Sequence, residues 1–173
     1  MAAPPTLTTA APVYGLPAFY GSSSGILPVT YPLGTSATVA FYSTEDAGGT
    51  WSLRSTVRVA GTLKSAPTFS VQGDIGAFPS VAFASPGTWW VMGDGGAGPP
   101  TFEVTADGGR TWTNVTAAGL PPSPALDSSY NVGLKAATTT QAWVFLLNEN
   151  TGTTLLGTAD GGRNWGLLTG LPS

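Results

Sequence analysis

Histidine and cysteine are both missing from this 173-residue chain, and charge is scarce, with Asp, Glu, Lys and Arg together making up 9%. Without histidine, the commonest general base and metal ligand is gone. Without cysteine there are no disulfides, no thiolate metal sites and no thiol nucleophile, although the compartment stays undecided on that ground. The six basic residues, Arg54, Arg58, Lys64, Arg110, Lys135 and Arg163, are scattered along a chain of net charge −3. Nucleic acid, whose phosphates call for a basic stripe, is therefore not an expected partner. No run of about 18 apolar residues occurs, so no membrane-spanning helix is expected. A charged fraction well below the roughly 25% usual in soluble domains leaves contact with water to Thr, Ser, Gly and backbone groups. That suits a rigid secreted or cell-surface β protein of bacterial type.

What is present argues for a folded unit. The chain is 42% hydrophobic with a small net charge, the reverse of the disorder signature, and is long enough for one well-buried core. Residues 1–12 have neither a basic start nor a continuous apolar stretch. They read as a Pro/Thr/Ala linker, or the trimmed start of an exported segment, and not as a signal peptide.

One pattern dominates the remainder. Thr44-Glu45-Asp46-Ala47-Gly48-Gly49-Thr50-Trp51, Thr105-Ala106-Asp107-Gly108-Gly109-Arg110-Thr111-Trp112 and Thr158-Ala159-Asp160-Gly161-Gly162-Arg163-Asn164-Trp165 superpose without gaps, their Asp residues 61 and 53 positions apart. An Asp carboxylate can accept backbone N–H bonds across a tight turn, and Gly48, Gly109 and Gly162 can supply positive φ. The Thr or Asn before each Trp can close the turn. Trp51, Trp112 and Trp165 then lead into a strand and bury a ring between neighbouring units.

The flanks repeat as well. Strand-like runs precede each copy: 37–42, 100–104 and 153–156, then 26–31, 88–92 and 142–147, and earliest 15–20, 78–83 and 130–136. Gly and Pro punctuate at intervals too short for helices, and no 3.6-residue stripe is sustained. With a short strand after each copy, every unit reads as a four-stranded antiparallel meander, the form of one propeller blade.

The three copies resemble the Asp-box, or BNR, repeats of sialidases, which also occur in xyloglucan-cleaving glycosidases and photosystem assembly factors. The resemblance implies an all-β fold of three β-propeller blades, spanning about 13–60, 67–120 and 127–171. It is informative for fold and poor for function, because unrelated activities share the repeat. Sialidases carry an arginine triad, a Tyr–Glu nucleophile pair and an acidic Asp. Here Arg110 and Arg163 fill variable positions of the repeat and Arg54 and Arg58 follow the first copy, so no triad is carried over. Propellers usually have four to eight blades, and three cannot close a ring. The expectation is a partial propeller, either part of a longer chain or completed by self-association, two copies giving six blades.

Topology suggests where a ligand would sit. If each repeat joins the third and fourth strands, the second-to-third loops and the links between units lie at the opposite end. Asp74 and Asp127 fall in links and Asp94 and Glu149 at second-to-third loops, with Tyr31, Phe78, Trp89, Trp90 and Tyr130 at nearby strand ends. One reading is an acidic, aromatic-rimmed face for glycan or protein, and a sharper one is a carboxylate pair for glycoside hydrolysis, which needs no histidine. The plainer reading is that polar residues populate exposed loops while Trp and Tyr fill the packing between units. No cofactor and no metal are expected.

Other patterns carry no function. Gly21-Ser22-Ser23-Ser24-Gly25 has the nucleophile-elbow spacing, but without histidine there is no Ser–His–acid triad, and it reads as a hairpin turn. Gly93-Asp94-Gly95-Gly96-Ala97-Gly98 is followed by Pro99-Pro100 instead of a helix, so it reads as a loop. Asn114-Val115-Thr116 is a sequon only in a glycosylating host. The leading expectation is a non-enzymatic extracellular scaffold or binding module. A glycoside hydrolase fragment and a self-assembling surface protein stand as alternatives.

Overall fold

Strand β4 (Ser36–Thr44) shows why this sequence makes sheet. Ala37, Val39 and Phe41 fall on one side of it, Ala40 and Tyr42 on the other, and all five are buried. A β-branched and aromatic run apolar on both sides fits a central strand with a layer on each face. In the computed structural model the chain is all-β, with no helix among the described residues, which are 12–60, 79–94, 98–121, 130–148 and 152–169.

Three antiparallel sheets form in chain order. Sheet 1 has β1 (Val13–Tyr14), β2 (Ala18–Tyr20), β3 (Ser24–Leu33), β4 and β5 (Ser52–Ala60). Sheet 2 has β6 (Ser80–Phe83), β7 (Trp89–Gly93), β8 (Thr101–Thr105) and β9 (Thr113–Thr116). Sheet 3 has β10 (Tyr130–Ala136), β11 (Ala142–Asn148), β12 (Gly152–Thr158) and β13 (Gly166–Leu167). The order within sheets 2 and 3 is that of a meander, each strand pairing with the next. The run expected as one first strand over 15–20 is split. Both β1 and β2 pair with β3, and four steps from Tyr14 to Ala18 are matched by three from Val29 to Ile26. One residue therefore bulges at Gly15-Leu16-Pro17, where proline has no N–H to give to a ladder.

The sheets stack in sequence through two shared cores. Ile26, Val39, Phe41, Val57 and Val59 of sheet 1 meet Val81, Trp89 and Val91 of sheet 2. Trp90, Met92, Phe102 and Val104 of sheet 2 meet Val132, Leu134, Val144, Leu146 and Leu156 of sheet 3. Adjacent residues of a strand point to opposite faces. Trp89 and Trp90 therefore enter different cores, and both are fully buried. A third cluster, Val29, Tyr31, Ala40 and Tyr42, lies on the face of sheet 1 turned away from sheet 2, where the Tyr31 and Tyr42 hydroxyls are 3.2 Å apart.

Within the first core the Tyr20 hydroxyl is buried without a hydrogen-bond partner. Burial also raises its pKa, because the phenolate is desolvated. Tyr20→Phe removes an unpaired polar atom and keeps the ring. It is expected to raise stability by about 1 kcal/mol in urea titration; a loss of that size would show that the hydroxyl is satisfied in solution.

Candidate functional site

Each third strand ends on a buried threonine, Thr44, Thr105 or Thr158, and from it the chain makes the same turn three times. The Thr105 hydroxyl donates to Asp107 Oδ1 at 2.8 Å and accepts the amides of Asp107 at 3.3 Å and Gly109 at 3.0 Å. Asp107 then reaches forward. Its Oδ1 accepts the Thr111 amide at 2.9 Å and its Oδ2 the Thr111 hydroxyl at 2.7 Å. Thr44, Asp46 and Thr50 repeat these bonds at 2.7–3.3 Å. In the third turn Asn164 gives Asp160 its amide at 3.0 Å and its side-chain nitrogen at 2.7 Å. The two residues after each Asp have positive φ, as at Gly108 (70°) and Gly109 (84°). That left-handed pair lets the chain reverse within one turn.

The turn also delivers the tryptophan. Trp112 stacks on Phe41 of the preceding sheet, with centroids 5.5 Å apart and planes at 29°. Trp165 stacks on Phe102 at 5.0 Å and 23°. The glycines come down on the same neighbour. A Cβ on Gly109 would lie 2.7 Å from Ser55 Cβ and 2.9 Å from the Trp89 ring, and one on Gly162 would lie 3.1 Å from the Trp90 ring. Arg54 clamps the second turn, donating from Nε to the Gly108 carbonyl at 3.1 Å while its guanidinium carbon sits 5.2 Å from the Trp89 ring centre. The third turn is strapped to the tail of sheet 2, where the Ala118 amide donates to Arg163 O and the Trp165 amide to Ala118 O. Turns two and three thus join sheets as well as strands.

These bonds set the electrostatics. Donation from the Thr50 amide, then from the Thr44 and Thr50 hydroxyls, lowers Asp46 to about 2 from the usual 3.8. Asp107 falls to about 2 through the Thr111 hydroxyl and amide, and Asp160 to about 2 through the Asn164 amide and side chain. All three are fixed anions at neutral pH and cannot act there as proton donors. Glu103 goes the other way. Burial raises its pKa, and the hydrogen bond from Asn114 only partly offsets this. Glu45 accepts the Ser24 hydroxyl. Five of the six described carboxylates therefore have short donors, and the sixth, Asp94, is buried and engaged.

The residues expected to line a ligand face divide into three groups. Asp74, Phe78, Asp127 and Glu149 lie outside the described residues. Tyr31, Asp94 and the start of β10 at Tyr130 stand at the strand ends away from the repeated turns. Of these, Tyr31 is 6% and Asp94 4% exposed, so neither is a free surface group. Trp89 is placed elsewhere. It pairs with Phe83 and Thr105 at the turn end of sheet 2 and is wholly enclosed, while Trp90 is buried in the other core. Sequence reading included the preceding threonine in the repeat but credited only Asp, Gly and the residues at the Trp end with making the turn. Its recurrence two positions before every Asp was the available signal.

Thr105→Val keeps the shape of a fully buried side chain but strands the Asp107 and Gly109 amides. It should cost about 1–3 kcal/mol in chemical denaturation, and an unchanged midpoint would show that the hydroxyl does not hold the turn. The carboxylates give a second expectation. Their folded-state values lie below that of an unconstrained aspartate, so the unfolded chain takes up protons first as pH falls. Their contribution is complete above about pH 4 and is lost toward pH 2. Melting temperature followed by circular dichroism should be level from about pH 7 to 5 and drop between about pH 4 and 2.

Compared with protein-family models, with curated proteins and with solved structures, the chain matches none.

Proposed function

We propose that this chain is three blades of a partial β-propeller of the Asp-box, sialidase-like kind. It serves as a non-enzymatic extracellular scaffold or binding module, its loop end taking glycan or protein. One observation carries the reading: the turn built on Thr, Asp, Gly and Trp recurs three times and spends its polar groups on itself. A carboxylate held near 2 by several donors supports architecture and offers no acid at neutral pH. Stacking of consecutive sheets through the turn tryptophans supports the blade reading, since blades bury their faces against the next in sequence. Binding belongs at the other end, where the polar groups are not consumed by a repeated turn and where β7 and β8 are separated by the longer segment 94–100.

Two assays on the same preparation decide between binding and catalysis. A glycan array is expected to show retention of a defined subset of glycans. Chromogenic glycosides of the same sugars should remain uncleaved over hours at pH 5–7. Release of chromophore by this chain would overturn the non-enzymatic reading, and an array without any retained glycan would overturn the glycan half of it.

A further inference from the structure

Sheet 1 covers only part of the face that sheet 2 turns toward it. The first core joins β3, β4 and β5 to β6 and β7, with Trp112 reaching in from the second turn. Beyond β7 the same face is polar. Val91 belongs to that core and pairs with Glu103, so Thr101 and Glu103 of β8 and their opposed partners Thr116 and Asn114 of β9 lie on the side of sheet 1. Asn114 and Thr116 are exposed. Beside this ledge runs β5, the last strand of sheet 1 and nine residues long, whose outer edge is paired with nothing among the described residues. It is held over sheet 2 at both ends, by the Ser55 hydroxyl on the Gly109 carbonyl and by the Ala60 carbonyl close against Gly93.

The second junction is built differently. Glu103 stands two residues before Thr105, and its counterpart two before Thr158 is Leu156, enclosed in the second core. Ala117 and Leu120, from the stretch that follows β9, pack in that core, and Ala118 bonds through its amide and carbonyl to the third turn. There the chain itself lies at the outer side of the junction, and the strand residue that meets it is apolar. At the first junction no described segment bonds to Arg110 and Trp112 in that way, and the strand residue is an acid.

That acid is short of a counter-charge. Glu103 is 9% exposed, its Oε1 accepts the Asn114 side-chain amide, and no basic side chain among the described residues offsets its charge. The arginines of β5 are engaged elsewhere, Arg54 on the Gly108 carbonyl and Arg58 on the Ser36 hydroxyl. A carboxylate buried with one neutral donor is costly, and a cation brought to it removes that cost. We propose that the ledge beside β5 binds an extended, basic peptide segment of a partner protein, which adds as a strand to the β5 edge and sets a lysine or arginine on Glu103. In strand addition main-chain bonds supply affinity and alternate side chains supply specificity. Guest side chains facing the ledge meet Thr101, Glu103 and Thr116. Those facing away lie beside Leu53, exposed on the other face of β5. The site is separate from the loop end and does not depend on whether that end binds glycan.

Calorimetric titration of the intact chain with the end-blocked peptide Thr-Val-Lys-Val-Thr tests it. This peptide is expected to bind at least about tenfold more tightly than the same peptide with norleucine at its centre, the difference a charged hydrogen bond makes. Its binding should weaken as salt is added. Amide hydrogen exchange of the unaltered chain gives a readout that needs no variant to fold: with peptide it should slow along Ser52–Ala60 and stay unchanged in β13. Glu103→Gln keeps the shape of the side chain and removes its charge. The preference for lysine should then vanish with circular dichroism unchanged. Equal binding of the two peptides to the unaltered chain, binding that leaves exchange of β5 untouched, a lysine preference that survives Glu103→Gln, or no saturable binding of the lysine peptide at millimolar concentration would each overturn the proposal.

Discussion

A threonine hydroxyl buried at the end of a third strand is the point on which the architecture turns. It accepts two amides that the reversing chain leaves without partners and donates to the aspartate that closes the rest of the loop. Buried amides without acceptors are costly, so the loop has little choice of path once that hydroxyl is in place. The path fixes the direction of the tryptophan five residues after the aspartate, and through it the distance to the preceding sheet. Register within a sheet and packing between sheets are thereby set by one short segment. In Thr105–Trp112 that segment bonds to itself, to Arg54 and to Ser55, and stacks on Phe41.

The same economy accounts for the low charge. A stack of sheets has few long polar side chains to offer, because each strand between two cores must be apolar on both faces, as in Val39-Ala40-Phe41-Tyr42. Charged residues are left to edges and turns, where several are structural. Arg58 donates to the Ser36 hydroxyl on the neighbouring strand, and Arg54 holds a glycine carbonyl and a tryptophan face. Glu103 is the exception, an acid placed in a strand interior, and burial raises its pKa accordingly. Its presence marks a local cost that the hydrogen bond from Asn114 only partly offsets.

Much of this was legible in the sequence, for identifiable reasons. Strand positions followed from apolar runs bounded by Gly and Pro, and the turns from three superposable copies of one motif. The hairpin at Gly21–Ser23 followed from the lack of any partner for a serine nucleophile. What could not be read was which face a given aromatic takes. Trp89 and Trp90 looked like a pair at a ligand rim, yet pleating sends them into different cores, and pairing with Phe83 and Thr105 puts Trp89 at the turn end. Composition near a strand end says nothing of register, and register decides between core and rim. Tyr31 illustrates the same limit, since its place at a strand end is correct while its hydroxyl faces Tyr42 in an enclosed cluster.

The first turn departs from the other two at one glycine position. It has Ala47 where they have Gly108 and Gly161, and Ala47 keeps the left-handed conformation at φ 58°. An L-residue there is strained, so the position prefers glycine on backbone grounds in every copy. Contacts differ more sharply than strain. A Cβ on Gly108 would run into the Arg54 guanidinium of the preceding sheet, whereas among the described residues no sheet lies before the first turn. The next glycine shows the same gradient: an added Cβ lies 2.7 Å from Ser55 at Gly109 but no closer than 3.5 Å to any neighbour at Gly48. Trp51 correspondingly stays with its own sheet, packing against the Val29, Tyr31, Ala40 and Tyr42 cluster and meeting Phe19 edge-on at 6.2 Å and 67°. At Gly161 an added Cβ would meet nothing nearer than 3.4 Å, the Arg163 side chain of its own turn, so strain and space together reserve this position for glycine in the second turn, and strain alone favours it in the other two.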